Sequence, residues 1–317
     1  MKLAILDDYQ GVALKLADWS VLPDDVEITV FDRHLGGPDQ VVAALADFEL
    51  VCLMRERTIM SANVIAKLPK LKLLVTTGMR NASVDDEAAV QQGVTFCGTG
   101  GRGNGTAELT WGLILALARH IPAEHAAMRE GGWQTTIGTA LEDKTLGLLG
   151  LGKLGSAVAK VGAAFGMNMI AWSQNLTDEK AAEQGVRRVD KAALLSDSDI
   201  LSIHVVLSER SRGLIGAPEL AAMKDTALLV NTSRGPIVDQ GALVEALQGG
   251  QIAGAGLDVY DVEPLPADHP LRKAPNVVLT PHLGYVTDLT YDAFYGQTVD
   301  TVKNFLAGTP VRVIAAP

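Results

Sequence analysis

Aromatic side chains are scarce in this sequence, only 5% of 317 residues, and glycine is plentiful at 32. That balance disfavours an aromatic-rich β-sandwich and suits close packing of helices on a parallel sheet. Cysteine is almost absent: Cys52 and Cys97 both lie inside apolar strand-like runs, so they read as buried thiols and no disulfide framework is indicated. The chain has no Lys/Arg-rich run and its net charge is −10, which argues against a nucleic-acid partner or an anionic membrane. No apolar run approaches transmembrane length. The first apolar run, within MKLAILDDYQ, is ended by acidic residues and reads as a strand rather than a signal peptide. A soluble, cytoplasmic protein is the expectation. What is present in quantity is apolar side chain, 48% of the chain, enough at this length for about two domains with sizeable cores.

The most informative stretch is KTLGLLGLGKLGSAVAKVGAAFG, Lys144 to Gly166. A short apolar run, Leu146 to Leu149, leads into Gly150-Leu151-Gly152-Lys153-Leu154-Gly155, after which Val158, Val161 and Phe165 recur at helical spacing. Strand, glycine turn and helix in that order make the βαβ unit of a dinucleotide site. Gly150 permits the sharp turn, Gly152 lets the backbone approach a pyrophosphate, and Gly155 lets helix and strand pack closely. The helix N-terminus then offers N–H groups and a positive dipole end to the phosphates. The next strand, Met167 to Trp172, ends at Ser173-Gln174-Asn175, where an NAD site ordinarily has Asp or Glu for the adenosine ribose. Without that carboxylate nothing repels a 2′-phosphate, and Arg187 and Arg188 come only later, so both NAD and NADP remain open.

Before the fingerprint, apolar runs at Leu3–Leu6, Glu27–Phe31, Leu50–Met54, Leu71–Val75 and Val94–Cys97 read as strands. Polar or helical stretches, such as Val12–Ala17 and Asp39–Ala46, separate them. Alternating units of this kind build a parallel open sheet whose ligand crevice lies at the carboxyl ends of the strands. Gly98 to Gly105 is the densest glycine segment, readable as a hinge and approach loop or as a second phosphate cradle. Ala107 to Glu130 reads as one long helix, apolar on several faces and therefore buried between layers, lobes or subunits. After the fingerprint, strand-like runs come at Val186–Val189, Ile200–Val206, Ala227–Asn231, Ile252–Leu257 and Val277–Leu279. Polar residues collect at several of their ends: His204, Asn231-Thr232-Ser233-Arg234-Gly235, Asp258 and Thr280-Pro281-His282. Any one of these alone reads as a cap or turn; four together read as a crevice lining. Asp288 to Leu306 reads as an amphipathic helix.

These segments in this order resemble the D-isomer-specific 2-hydroxyacid dehydrogenases, over nearly the whole chain: LKLLVTTG, KTLGLLGLGKLGS, SDSDILSIHVVLS, LLVNTSRGPIVDQGALVEAL, AGAGLDVYDVEPLP and NVVLTPHLGYVT. The resemblance implies an α/β fold of two Rossmann-like parallel-sheet domains. A flavodoxin-like substrate lobe would take residues 1–98 plus 286–317, and a dinucleotide-binding lobe residues 99–285. It implies an NAD(P)-dependent oxidoreductase acting on a small D-2-hydroxy or 2-oxo acid, paired as a homodimer, with no metal required. The family's catalytic positions fall on Arg234, Glu263 and His282. The chemistry suits those types: imidazole titrates near ~6.5 and both gives and takes a proton at neutral pH. A carboxylate at its other nitrogen would orient it, and a guanidinium fork matches a substrate carboxylate.

The resemblance further assigns Gly150, Gly152, Lys153, Leu154 and Gly155 to the pyrophosphate and Ser173 with Gln174 to the ribose. Val205 would lie at the adenine side, Thr232 and Ser233 at the nicotinamide riboside, and Asp258 at the carboxamide, with Gly284 alongside. Gly78, Met79 and Arg80 align with a Gly-x-Gly loop that binds the substrate carboxylate through backbone N–H groups. Two positions depart from the family pattern. Arg80 replaces the second glycine, adding a cation for a dianionic acid or narrowing the pocket, and Tyr285 stands where a small residue is usual. An NAD(H)-sensing regulator of the corepressor kind shares this fold and is the competing reading; partner-binding tails would mark it, and none is evident in the sequence. Formate dehydrogenases, with Gln in place of Glu263, and methyltransferases, which want an acidic residue at the position of Ser173, fit less well.

Overall fold

Thirteen short strands and the helices between them form two sheets in the computed structural model, which describes residues 1–317. The chain divides into two units, residues 1–103 with 287–317 and residues 104–286.

In the first unit β1 (Lys2–Ile5), β2 (Glu27–Val30), β3 (Leu50–Leu53), β4 (Leu73–Thr76) and β5 (Thr95–Gly98) are all parallel, in the order β2-β1-β3-β4-β5. This is the flavodoxin-like order. β3, β4 and β5 are buried along their whole length, which is why they read as unbroken apolar runs rather than alternating ones. In the second unit β6 (Thr145–Leu149), β7 (Asn168–Trp172), β8 (Arg187–Arg188), β9 (Ile200–Ile203), β10 (Leu228–Asn231), β11 (Gly254–Leu257) and β12 (Val277–Leu279) form a parallel sheet ordered β8-β7-β6-β9-β10-β11-β12. The order is that of a dinucleotide-binding sheet with one strand added. A last strand, β13 (Val313–Ala315), returns antiparallel to β5 in the first unit.

The helix Asp288–Leu306 belongs to the first unit and buries Tyr291, Phe294, Tyr295, Val299 and Val302. One expected helix is broken, and one stretch read as polar or helical is not a helix. Ala107 to Glu130 is not continuous: one helix covers Gly105–Ala118, a second Ile121–Arg129, and His120 between them has φ +50. Pro122 accounts for the break, because in an uninterrupted helix its ring would press on the Ala118 carbonyl. That carbonyl accepts instead from Thr139 N–H at 2.7 Å. Val12 to Ala17 is a run of turns, since Asp8 draws the N–H groups of Val12 and Ala13 onto its carboxylate at 3.0 and 2.9 Å. A side chain that competes for backbone donors in this way stops a helix from propagating.

The two cysteines sit in β3 and β5, where burial pushes the thiols up to about 12 for Cys52 and about 11 for Cys97. Neither forms thiolate at neutral pH, which leaves them as small core residues.

Candidate active site

Parallel pairing in register makes the second unit's crevice edge a row. Leu149, Ile203, Asn231, Leu257 and Leu279 are mutual partners across five adjacent strands. The residues just after each of them emerge side by side, at spacings of about 4.8 Å per strand. Gly150, His204, Thr232 to Arg234, Asp258 and Thr280 to His282 are therefore neighbours by construction.

His282 and Glu263 meet directly. The imidazole Nδ1 lies 2.6 Å from Glu263 Oε2, and both side chains are mostly shielded, 19% and 28% exposed. Glu263 is itself held: its Oε1 accepts the Tyr260 N–H at 2.9 Å. Tyr260 is buried, and its hydroxyl donates to the carbonyls of Leu257 and Thr280, tying the ends of β11 and β12 together. His282 has a left-handed backbone, φ +55, so the loop around it imposes its direction. The loop is fastened by Asp258. One carboxylate oxygen accepts from Thr280 Oγ1 at 2.6 Å and Leu283 N–H at 2.7 Å, and the other from Gly284 N–H at 2.9 Å. Asp258 is completely buried, and burial raises its pKa against the opposing pull of those donors. Its carboxylate thus ties the loop after β12 to the end of β11. Gly284 is similarly enclosed: a Cβ there would lie 3.1 Å from Thr106 Oγ1 and 3.2 Å from Asp258 Oδ2.

Arg234 stands at the end of a tight loop after β10. Asn231, buried at the strand end, donates from Nδ2 to the Arg234 carbonyl at 2.9 Å and accepts the Ser233 N–H at 3.0 Å. Arg234 Nη1 donates to the Ser233 carbonyl at 2.8 Å, and the Ser233 hydroxyl donates to the Val205 carbonyl. Thr232 is buried and its hydroxyl shares a 2.8 Å hydrogen bond with Thr110 on the helix Gly105–Ala118. His204 is half-buried and bonded through Nε2 to Ser202 at 2.9 Å, and desolvation lowers its pKa to about 4. It is neutral at pH 7 and is no proton carrier there.

The glycine turn fits a dinucleotide pyrophosphate. Gly152 is exposed with nothing within 4 Å of a Cβ position, and the helix Lys153–Ala164 that it begins carries no side-chain cap. Its first N–H groups are therefore open to an anion. The two flanking glycines are instead crowded: Gly150 has φ +102 with its Cβ position 2.9 Å from the His204 backbone, and a Cβ on Gly155 would come within 2.2 Å of the Gly150 carbonyl oxygen. Lys153 is exposed, Leu154 half-buried, and Val205 lies beneath Gly150. Ser173 and Gln174 come after β7 at the solvent edge. Arg188 pairs with Asp178 at 3.5 Å, so of the two later arginines it is already engaged with a carboxylate.

In the first unit Gly78 has φ +91 and begins the Gly78-Met79-Arg80 loop after β4. Its N–H donates to Thr99 Oγ1 at 2.9 Å, so this donor is spent within the chain. Thr99 is 21 residues further on, beyond the reach of any local sequence pattern. Arg55 belongs to none of the sequence motifs, yet it lies at this loop. Its Nη1 donates to the Thr77 carbonyl at 2.9 Å and occupies the space where a Cβ on Gly78 would fall, 1.7 Å away. Buried Asn81 fixes this arrangement, donating to the Arg55 carbonyl at 2.7 Å and to Thr76 Oγ1 at 2.9 Å. The one signal for it in the sequence is position: Arg55 comes just after β3 at the carboxyl edge, where polar residues mark a crevice in either lobe.

Comparison with known proteins returns one family model, the NAD binding domain of D-isomer specific 2-hydroxyacid dehydrogenases, over residues 111–284. A glyoxylate reductase of Aeropyrum pernix is 39% identical over 273 residues, covering 82% of this chain and 81% of that one. A D-3-phosphoglycerate dehydrogenase of Archaeoglobus fulgidus is 36% identical over 277 residues, covering 86% of this chain but only 52% of the relative, so this chain spans about half of that protein's length. The crystal structure of a phosphoglycerate oxidoreductase from Vibrio cholerae superposes with a TM-score of 0.91 at 37% identity, covering 97% of this chain and 99% of the other.

Proposed function

The chain belongs to the D-isomer-specific 2-hydroxyacid dehydrogenases, and from that premise we propose that it interconverts a small D-2-hydroxy acid and its 2-oxo acid, with His282 handling the proton and Arg234 the substrate. The observation that carries this reading is the 2.6 Å contact of His282 Nδ1 with Glu263. With Nδ1 engaged, Nε2 is the nitrogen left to serve a reacting oxygen, giving a proton to the carbonyl in reduction and taking it from the hydroxyl in oxidation. The Glu263 carboxyl at Nδ1 fixes the ring's orientation. The Arg234 guanidinium offers a planar fork that matches a carboxylate and polarises the adjacent carbonyl as negative charge develops. In this reading the Gly78-Met79-Arg80 loop, with the Arg55 guanidinium beside it, would meet the substrate carboxylate from the first unit.

The reading places the cofactor's pyrophosphate on Gly152 to Gly155; bound there, the nicotinamide supplies or accepts the hydride. Ser173, with Thr232, Ser233 and Gly284 shaping the rest of the groove, brings no negative charge to the end of β7. Cofactor preference is therefore tested directly. Absorbance at the reduced-nicotinamide band is recorded with glyoxylate, hydroxypyruvate, pyruvate and phenylpyruvate, each with NADH and NADPH, and with D-3-phosphoglycerate in the oxidative direction. Turnover of at least one acid is the expected result. Cofactor binding without turnover of any acid overturns the reading.

Pairing of two copies through the second unit belongs to the same proposal. Ile121, Met128, Trp133 and Ile137 are 52%, 52%, 73% and 95% exposed within 17 residues of chain, an apolar concentration that a partner would cover. Light scattering should return twice 33.5 kDa, and a mass of 33.5 kDa at micromolar concentration rules the pairing out.

A further inference from the structure

One neighbour of His282 is left without a role by this chemistry. Tyr285 stands three residues on, and its ring meets the imidazole edge to face, with centroids 5.4 Å apart and planes at 70°. That geometry is the favoured one for two aromatic rings. The tyrosine does not reach it by chance of a loose loop. Val286 N–H donates to the Leu283 carbonyl at 2.8 Å, closing a turn with Tyr285 as its third residue. Leu283 and Gly284 at the start of the turn are both pinned to Asp258, and the Gly284 carbonyl accepts from Thr106 Oγ1 at 3.0 Å. The backbone between the two rings is thus anchored at both ends of Gly284.

Glu263 alone leaves the imidazole under-determined. The torsion that turns a histidine ring about its Cβ–Cγ bond has broad wells, and a single hydrogen bond at Nδ1 acts as a pivot about which the far nitrogen swings. Nε2 is the atom that must meet the substrate oxygen. A rigid ring set against the imidazole at a steep angle removes that freedom, and a displacement of the order of 1 Å at Nε2 is enough to lose most of the benefit of a placed proton donor.

We infer that Tyr285 is a positioning residue for the reaction, the second of two supports that hold the His282 ring, with Glu263 fixing one nitrogen and the Tyr285 ring fixing the plane. The support comes from the aromatic ring, not from its hydroxyl. This rests on the proposal that His282 handles the proton, and the experiment separates the two.

Steady-state kinetics are measured with the acid and cofactor that the wild-type protein turns over best, for Tyr285→Leu, Tyr285→Phe, Glu263→Gln, the Leu/Gln double variant and His282→Asn. Tyr285→Leu keeps an apolar side chain and loses the ring; it should lower kcat about 10- to 100-fold while cofactor KM and Tm stay near wild type. Tyr285→Phe should recover kcat to within about threefold. The double variant should cost less than the product of the single costs, because both side chains act on one ring. Wild-type kcat in Tyr285→Leu overturns the inference, as does a Tyr285→Phe variant as slow as the leucine one, or costs that multiply. A fully active His282→Asn overturns instead the proton-transfer reading on which it stands, whereas an inactive His282→Asn beside an unimpaired Tyr285→Leu overturns the inference alone.

Discussion

His282→Ala should lower turnover by about 10²- to 10⁴-fold, the range that a placed general acid contributes, while cofactor affinity is unchanged. The variant removes the group just after β12 whose Nδ1 is committed to Glu263, and it leaves the glycine turn that would hold the pyrophosphate unaltered. Its backbone needs attention, since residue 282 has φ +55 and alanine is strained there, at a cost of roughly 1 kcal/mol. A loss of a few degrees in Tm is therefore part of the expected result for alanine. His282→Asn separates the two effects: asparagine accepts the left-handed region far more readily and cannot carry a proton. Both variants should be equally slow, with Asn closer to wild type in Tm. Turnover near wild type in the asparagine variant would remove His282 from the chemistry.

Much of this site is legible in the sequence because it is made of strand ends. In a parallel sheet the carboxyl edge is where ligands lie, and a buried parallel strand announces itself as a short apolar run. Asn231 to Arg234, Asp258 and Thr280 to His282 can therefore be found as the residues at the end of each run. The same rule applied to the first lobe points to Arg55 after β3, next to Gly78. Local pattern does not carry where each hydrogen-bonding group is spent. Gly78 gives its N–H to Thr99, Thr232 its hydroxyl to Thr110, and Asp258 its carboxylate to three donors of the loop after β12. Each partner lies more than 20 residues away, so none of these hydrogen bonds can be read from local pattern. The broken helix at His120 is hidden for a different reason: its first half is apolar on nearly every face, so periodicity gives no sign of an end, and the single local sign is Pro122.

The second large effect should come from a residue that contacts no substrate. Gly235→Ala is expected to lower kcat/KM by about 10²-fold or more and to lower Tm by several degrees. A Cβ at Gly235 would lie 2.1 Å from the Tyr260 carbonyl carbon, 2.3 Å from its oxygen and 2.6 Å from the Asp261 nitrogen. All three are backbone atoms, so no rotamer change relieves the overlap, and the two loops must separate. Overpacking of this kind costs about 1–3 kcal/mol. Its consequence for catalysis comes from the groups each loop carries. Arg234 precedes Gly235 and is tied to Asn231 through its carbonyl, while the Tyr260 N–H holds Glu263, which holds His282. A single methyl group would therefore displace the guanidinium on one side and the carboxylate–imidazole pair on the other. Gly296→Ala is the matched control, a helical glycine with nothing within 4 Å of the added carbon, and it should leave kcat/KM unchanged. A Gly235→Ala protein with wild-type kcat/KM would mean that Arg234 and Glu263 keep their geometry independently of this contact. In that case the close approach of the two loops is a packing detail, and the coupling between substrate binding and proton transfer lies elsewhere in the sheet edge.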